Sequence, residues 1–370
     1  MFFKKDKKKQ PNENLSEGKQ DCEKIKHAIC ALLAIKKTDL VQVQHSNNQI
    51  KIKLPLPYKT AHSEIIDNLV SNGLVASTND VEIESNIPIF HTLKPIITNV
   101  KNIIAVSSGK GGVGKSATAI NLALALKQLG ARVGVLDADI YGPSVPIMLG
   151  TQNASPKSPD NKTMYPIEAL GLVSNSIGYL VKNDHASIWR GPMASKALQQ
   201  LLNETKWPLL DYLIVDMPPG TGDIQLTMAQ QLPLTGAVIV TTPQDIAVAD
   251  AAKGIAMFEK LEIPILGLVE NMSSFVCPHC EKETPIFDLG GGRKLAERYK
   301  YPILAELPLN LKIRECTDQG KSIFTLYPED PLCQHYLDAA ANLSINLVNQ
   351  VELASLVQND PNGIAVTQLS

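Results

Sequence analysis

Several absences in this 370-residue chain narrow what it can do. No stretch approaches the roughly 18 uninterrupted apolar residues of a membrane-spanning helix, so no span is predicted. The basic start, Met1-Phe2-Phe3-Lys4-Lys5-Asp6-Lys7-Lys8-Lys9, is not followed by an apolar run of signal-peptide length. It reads as a solvated tail rather than an arm for lipid or nucleic acid. A net charge of only −2 leaves no global field directed at nucleic acid. Beyond Lys321 the chain has no Lys or Arg, which excludes a basic amphipathic C-terminal helix for a membrane surface. Cysteines are sparse (Cys22, Cys30, Cys277, Cys280, Cys316 and Cys333), the usage of a reducing, cytoplasmic protein rather than a disulfide scaffold. No repeat of solenoid period occurs.

What is present is enough for a large core: 44% of residues are hydrophobic and 19% charged. Residues 1–20, polar and rich in lysine, are expected to be a disordered tail. Residues 21–85 read as a small α+β domain, with helices over 22–35 and 61–70 and strands at 40–43, 49–54 and 81–83. Residues 86–100, carrying Pro88 and Pro95, read as a linker, and 346–370 as a polar tail. Between them, 101–345 holds apolar runs at 103–107, 132–137, 212–216, 236–241, 265–270 and 302–305, separated by helical segments. The runs do not alternate, as befits strands buried on both faces. The expected fold is α/β, a doubly wound, mainly parallel sheet with its ligand at the strands' carboxyl ends.

Gly109-Lys110-Gly111-Gly112-Val113-Gly114-Lys115-Ser116 stands between the first of these runs and a helical segment. Strand, glycine-rich loop and helix make the context of a phosphate-binding loop. Its glycines let successive N–H groups turn onto an anion, and the helix N-terminus favours the same charge. Lys115 is expected to meet the β/γ-phosphates and Ser116 to hold Mg²⁺. Leu136-Asp137-Ala138-Asp139 ends the second run; its two carboxylates suit Mg²⁺ water ligands and an attacking water. Leu213-Ile214-Val215-Asp216-Met217-Pro218-Pro219-Gly220 is a Walker B pattern: Asp216 is expected on Mg²⁺ and the Gly220 N–H at the γ-phosphate. Spacing alone leaves Lys110 as either a second phosphate lysine or a solvent-facing one.

Cys277-Pro278-His279-Cys280 brings two thiols to one face of a short turn. They could clamp iron or zinc, or form a redox dithiol. A cubane cluster needs four thiolates, which a two-fold dimer would supply from two copies.

The loop with its early lysine resembles the deviant Walker A motif of the MinD- and ParA-like ATPases. Asp139-Ile140-Tyr141-Gly142-Pro143-Ser144, Trp189-Arg190-Gly191-Pro192-Met193, the segment Asp216 to Asp223, Thr241-Thr242-Pro243-Gln244, Glu270-Asn271-Met272 and Asp318-Gln319-Gly320-Lys321 narrow the match. Together they look like the Mrp-type branch, the bacterial iron–sulfur cluster carrier proteins. The resemblance implies an ATP-binding homodimer in which Lys110 reaches the partner's phosphates and Asp139 positions water. It also implies that Asn271 reads adenine, and that Cys277 and Cys280 of two chains hold a [4Fe–4S] cluster received from donor or scaffold proteins and passed to apo-proteins. Slow ATP hydrolysis goes with it. One departure stands out: where the branch commonly has His-Ile-Phe-Gly after the cysteines, this chain has Pro285-Ile286-Phe287-Asp288. The first domain resembles the MIP18-like module only in layout. The alternative is a positioning ATPase of the MinD or ParA type acting on membrane or DNA, which has no use for the paired thiols.

Overall fold

The computed structural model describes residues 13–46, 49–180, 191–277, 279–280 and 282–354. The chain divides into two compact units, Met1–Ile87 and Pro88–Ser370.

The first unit contains α1 (Glu13–Leu32), β1 (Gln42–Ser46), β2 (Gln49–Leu54), α2 (His62–Ser71) and β3 (Val81–Ser85). β2 lies between β1, antiparallel to it, and β3, parallel to it. Its pattern sets the faces: Ile50, Ile52 and Leu54 are buried, while Lys51 and Lys53 pair outward with Glu82 (2.8 Å) and Glu84 (3.0 Å) of β3. Ile25, Ile29, Ile65 and Leu69 supply the helical side of this core. Residues 13–20 were expected to be unstructured, yet α1 runs through them. Once the buried Ile25 and Ile29 fix its later turns, each further residue adds a helical bond without a new nucleation cost.

The second unit is built on one large sheet. Its elements are β4 (Val100–Ser108), α3 (Lys115–Gln128), β5 (Val133–Asp137), α4 (Val145–Met148), β6 (Ile167–Ala169), β7 (Leu172–Ser176), α5 (Gly191–Glu204), β8 (Leu210–Asp216), α6 (Asp223–Gln231), β9 (Gly236–Thr241) and α7 (Asp245–Lys260), followed by β10 (Ile265–Val276), β11 (Glu283–Thr284), α8 (Gly291–Tyr299), β12 (Ile303–Leu309), α9 (Leu311–Asp318), α10 (Ile323–Leu326) and α11 (Pro331–Gln350). The strand order is β11-β10-β9-β4-β8-β5-β7-β6, with β12 also paired to β10. Every pairing is parallel except those of β6 and β11. β4, β5, β8 and β9 are buried almost throughout. That matches the unbroken apolar runs and the expected doubly wound sheet.

The hairpin β6–β7 gave no apolar signal, because Ser174, Asn175 and Ser176 are polar and yet buried. Each is satisfied: Ser174 shares a 2.8 Å hydrogen bond with the Tyr179 hydroxyl, Asn175 donates to Thr205 (2.6 Å), and Ser176 donates to Asp137 (2.9 Å). Leu170 and Gly171, both at positive φ, form its two-residue turn.

The two segments read as linker and tail meet each other. Phe90 is fully buried and bridges to Leu353, the His91 N–H donates to Glu352, and the Ala354 N–H donates to Ile89. α11 also continues to Gln350, past the expected start of the tail, because Leu347 and Val348 are core residues.

At the opposite end of the strands from the loop, Asp211 receives two hydrogen bonds from the Arg132 guanidinium (2.9 and 2.8 Å) and an ion pair from Lys101 (2.9 Å). Burial pushes its pKa up, but the Arg132 and Lys101 bonds outweigh that and hold it below the ordinary carboxylate value. Asp211→Ala is expected to cost about 2 kcal/mol, below the range for a fully buried pair because the Arg132 side chain is half-exposed. A depressed pKa stabilises above the unfolded value and is lost as pH falls through the native one. The difference between wild type and Asp211→Ala in chemical denaturation should therefore shrink as pH is lowered below about 4.

Candidate functional site

The glycine-rich loop joins the central strand β4 to α3. Gly114 caps α3 at φ 81°, a backbone conformation that an L side chain adopts at a cost. Gly109 is confined differently: a Cβ there would stand 2.1 Å from the Asp250 carbonyl carbon of α7. Gly111 and Gly112 are exposed, Val113 is buried, and Ser116 is half-buried. The loop thus presents backbone and hydroxyl to solvent while Val113 anchors it.

Lys115 is 6% exposed, and its ammonium lies 2.5 Å from Asp216 Oδ1 and 3.2 Å from Ser116 Oγ. Sheet register explains the meeting: Asp216 ends β8 opposite Val106 of β4 and Asp137 of β5. Asp216 Oδ2 is buried and has no hydrogen-bond partner among the described residues. Such an orphaned anionic oxygen beside a serine hydroxyl is the hard donor set that suits Mg²⁺. Ser116 and Asp216 thus present oxygen donors of the kind an Mg²⁺ ion takes.

Asp137 is enclosed by its own chain. Its Oδ1 accepts the Asp139 N–H (3.2 Å), and its Oδ2 accepts the Val145 N–H (3.2 Å) and the Ser176 hydroxyl (2.9 Å). Burial, followed by the charge of Asp216, raises its pKa to about 8. These bonds brace the second strand end, and Oδ1, which accepts only the Asp139 N–H among them, keeps acceptor capacity for a magnesium-bound water. Asp139 lies just past β5 and is half-buried; burial, then the Asp216 charge, raises its pKa against the pull of Lys115. A carboxylate held up in this way is a better proton acceptor than an ordinary one.

Gly220 differs from expectation. At φ 101° it turns its N–H onto the Ser108 carbonyl (3.0 Å), so that N–H is engaged by β4 rather than offered to a phosphate. Gln225 of α6 fastens the same region, its amide donating to Ser107 Oγ while its buried oxygen has no partner among the described residues. Nothing in the sequence singled out Gln225, since Ser107 lies 118 positions away. The Lys110 ammonium lies 3.3 Å from Gln244 Oε1 at the start of α7.

Asn271, in β10, donates its side-chain amide to the Val113 carbonyl (2.9 Å). The contact places it on the loop, where it closes over Gly114. Five residues of the same strand later the thiol turn begins. β10 and β11 pair through Phe275 with Thr284 and Val276 with Glu283, and the Cys277 N–H donates to the Lys282 carbonyl (3.1 Å). Cys277 is half-buried and Cys280 exposed. The His279 N–H, the Cys280 N–H and then the Cys280 thiol donate to Cys277 Sγ and pull its pKa below the ordinary thiol value. Thiolate is the form that binds metal. Among the described residues no three His, Cys, Asp or Glu converge on a possible metal site, so the two thiols of this turn stand without a third described ligand. Cys30, Cys316 and Cys333 are buried, and burial raises the pKa of each.

The departure after the cysteines has a structural reading. Asp288 stands at φ 87°, where the branch has glycine, and its carboxylate accepts the Leu289 N–H at 2.8 Å. Aspartate tolerates that conformation through just such local bonds. Trp189, Arg190 and Pro278 lie outside the described residues. Among those described, no helix is long and apolar enough to cross a membrane.

Residues 99–344 match the ParA family described as NUBPL iron-transfer P-loop NTPase. An iron–sulfur cluster carrier protein of Haemophilus influenzae is 52% identical over 315 residues, covering 83% of this chain and 85% of that one. One of Escherichia coli K12 is 50% identical over 334 residues, covering 89% and 90%. The iron–sulfur cluster transfer protein NUBPL of Dictyostelium discoideum is 47% identical, covering 73% and 81%. Among solved structures, a nucleotide-binding protein of Archaeoglobus fulgidus in complex with ADP aligns with a TM-score of 0.54 at 37% identity, over 60% of this chain and 88% of that one. The cell division ATPase MinD of Pyrococcus furiosus, 20% identical with a TM-score of 0.50 over 65% and 98%, shares the fold. With a phosphate loop, a Walker B carboxylate and a thiol turn all carried on this sheet, the chain belongs to the ParA family of NUBPL-type iron-transfer P-loop NTPases.

Proposed function

We propose that the protein is an ATP-dependent iron–sulfur cluster carrier of the cytoplasm, in which two copies hold one [4Fe–4S] cluster and deliver it to apo-proteins. The observation that carries this reading is the Cys277/Cys280 pair at the tip of β10, half-buried and exposed respectively, with no third ligand beside it among the described residues. Two thiolates bind a cubane incompletely, and an isologous contact between two tips doubles them. A site made of two halves also gives cargo a route out, since separating the halves leaves each with too few ligands. The 50–52% identity to cluster carrier proteins over most of their length supports the same cargo.

The nucleotide is ATP, with its phosphates on residues 109–116. Lys115 turns from Asp216 to the β/γ-phosphates, and Asn271 reads the base. Mg²⁺, held by Ser116 and Asp216, would neutralise charge on the phosphate oxygens. Asp139 orients the attacking water and accepts its proton, while Lys110 of a second copy, released from Gln244, meets charge accumulating on the transferred phosphoryl group. Hydrolysis is slow, as suits a switch. Lys110→Ala is expected to lower the steady-state hydrolysis rate by roughly 100-fold, in the range of trans-acting cationic groups and below the largest such effects. Nucleotide affinity, by equilibrium dialysis, should change little.

The function is tested by anaerobic reconstitution with ferrous iron and sulfide, followed by incubation with the apo form of a [4Fe–4S] protein. Transfer of iron and sulfide to that protein is expected, with no ATP-dependent co-sedimentation on anionic liposomes or DNA. Pelleting with liposomes or DNA, and no iron taken up, would contradict it.

A further inference from the structure

β10 does two things at adjacent residues. Asn271 reaches one face of the sheet and holds the Val113 carbonyl of the phosphate loop. Glu270 reaches the other face, where it is 1% exposed, and its Oε2 accepts the Gly292 N–H, with the Arg293 N–H also on the carboxylate. Those N–H groups open α8, the helix to which the chain returns after the thiol turn. An anion at that position meets both the unsatisfied donors and the positive end of the helix dipole. The fit is close: a Cβ on Gly292 would stand 2.8 Å from Glu270 Oε2, and one on Gly291 would stand 2.2 Å from the Pro243 carbonyl oxygen. Pro243 precedes Gln244, the residue that holds Lys110.

Beyond Asn271 the strand changes character. Met272 takes φ 56°, unusual for a side-chain-bearing residue. The pairing with β12 shifts register between Asn271 and Phe275. The thiol turn therefore hangs from two roots: Phe275 and Val276 after the register break, and the start of α8 pinned by Glu270. A movement of Asn271 with the phosphate loop shifts the backbone it shares with Glu270, and hence the second root, while the break at Met272 lets the first pivot.

We propose that Glu270 is a positioning residue that transmits nucleotide occupancy at the phosphate loop to Cys277 and Cys280 by clamping the start of α8 to β10. This rests on the carrier reading for its purpose, but its geometry lies wholly within one chain. It does not touch nucleotide or cargo; it acts through the helix that fixes where the thiols stand.

The test uses the full chain without cluster. Alkylation rates of Cys277 and Cys280 by N-ethylmaleimide are read by peptide mass spectrometry, with and without a non-hydrolysable ATP analogue and Mg²⁺. In wild type the nucleotide is expected to change the rates by about fivefold or more, the lower part of ordinary coupling strengths. Glu270→Ala should lose that response while its analogue affinity stays within about twofold of wild type, because the loop residues are untouched. Glu270→Gln, which keeps an acceptor oxygen of the same reach, should retain most of it. If Glu270→Ala does not fold, Glu270→Asp, one methylene short of Gly292, carries the same expectation. A full response in the Ala or Asp variant overturns the proposal, as do wild-type thiols indifferent to bound nucleotide. Neither result touches the carrier reading, which fails separately if the wild-type protein takes up no iron and sulfide on reconstitution.

Discussion

Replacing Cys277 and Cys280 together by alanine is expected to abolish iron and sulfide binding on anaerobic reconstitution, from a full complement to background. Nucleotide affinity should remain at the wild-type value. The thiols sit at a hairpin tip, and neither is part of the packed core, so their loss costs little stability. No other described side chains gather in a group that could substitute. Cys277→Ala alone should be nearly as severe, because it also removes the sulfur onto which the His279 and Cys280 N–H groups converge. Retention of wild-type iron and sulfide by the double variant, measured by colorimetric assay and visible spectrum, would remove the ligand assignment.

Lys115→Ala should do the reverse: nucleotide affinity falls by roughly two orders of magnitude, the worth of a charge-assisted phosphate contact, while reconstituted iron is unchanged. A second consequence follows from burial. Lys115 and Asp216 are 6% and 0% exposed at the side chain and stand 2.5 Å apart, with no other ion pair to Asp216 among the described residues. Removing one member of a buried pair costs about 3 kcal/mol or more because the other is stranded, whereas removing both relieves that stranded charge and leaves only the cost of the lost packing. The double variant Lys115→Ala/Asp216→Ala should therefore recover much of the stability lost in Lys115→Ala, by denaturant titration without nucleotide, and recover none of the binding. Equal instability of the single and double variants would mean that the pair is not what supports the strand ends.

The parts of the site legible in the sequence were those whose chemistry is written contiguously. A glycine loop between a strand and a helix carries its geometry in eight consecutive residues, and Lys115, Ser116 and Asp216 meet as their motifs imply. The parts that were not legible depend on pairings between distant segments. Asp137 stands beside Asp139 in the sequence, but the bonds that hold it, from Ser176 in a hairpin with no apolar signature and from the Val145 N–H, come from segments the motif does not contain. Gly220 looked free to sense a phosphate, yet the Ser108 carbonyl holds it. Glu270 stood in plain view before Asn271, but its partners at 292 and 293 become neighbours only when the thiol turn folds back. The same limit applied to the fold. Unbroken apolar runs located the central strands, whereas the β6–β7 hairpin hid behind buried serines and an asparagine. The contact of Ile89–His91 with Glu352–Ala354 joins two segments that composition alone marks as connectors.

For delivery to work as proposed, two copies of the thiol turn must close around one cargo. Native mass spectrometry of the reconstituted protein, under anaerobic conditions, measures this directly. A particle of two chains with one four-iron, four-sulfide core, reverting to apo chains when Cys277 and Cys280 are replaced, is the predicted result. A stable single chain that carries the whole cluster, or a dimer whose iron is indifferent to the two substitutions, would contradict it.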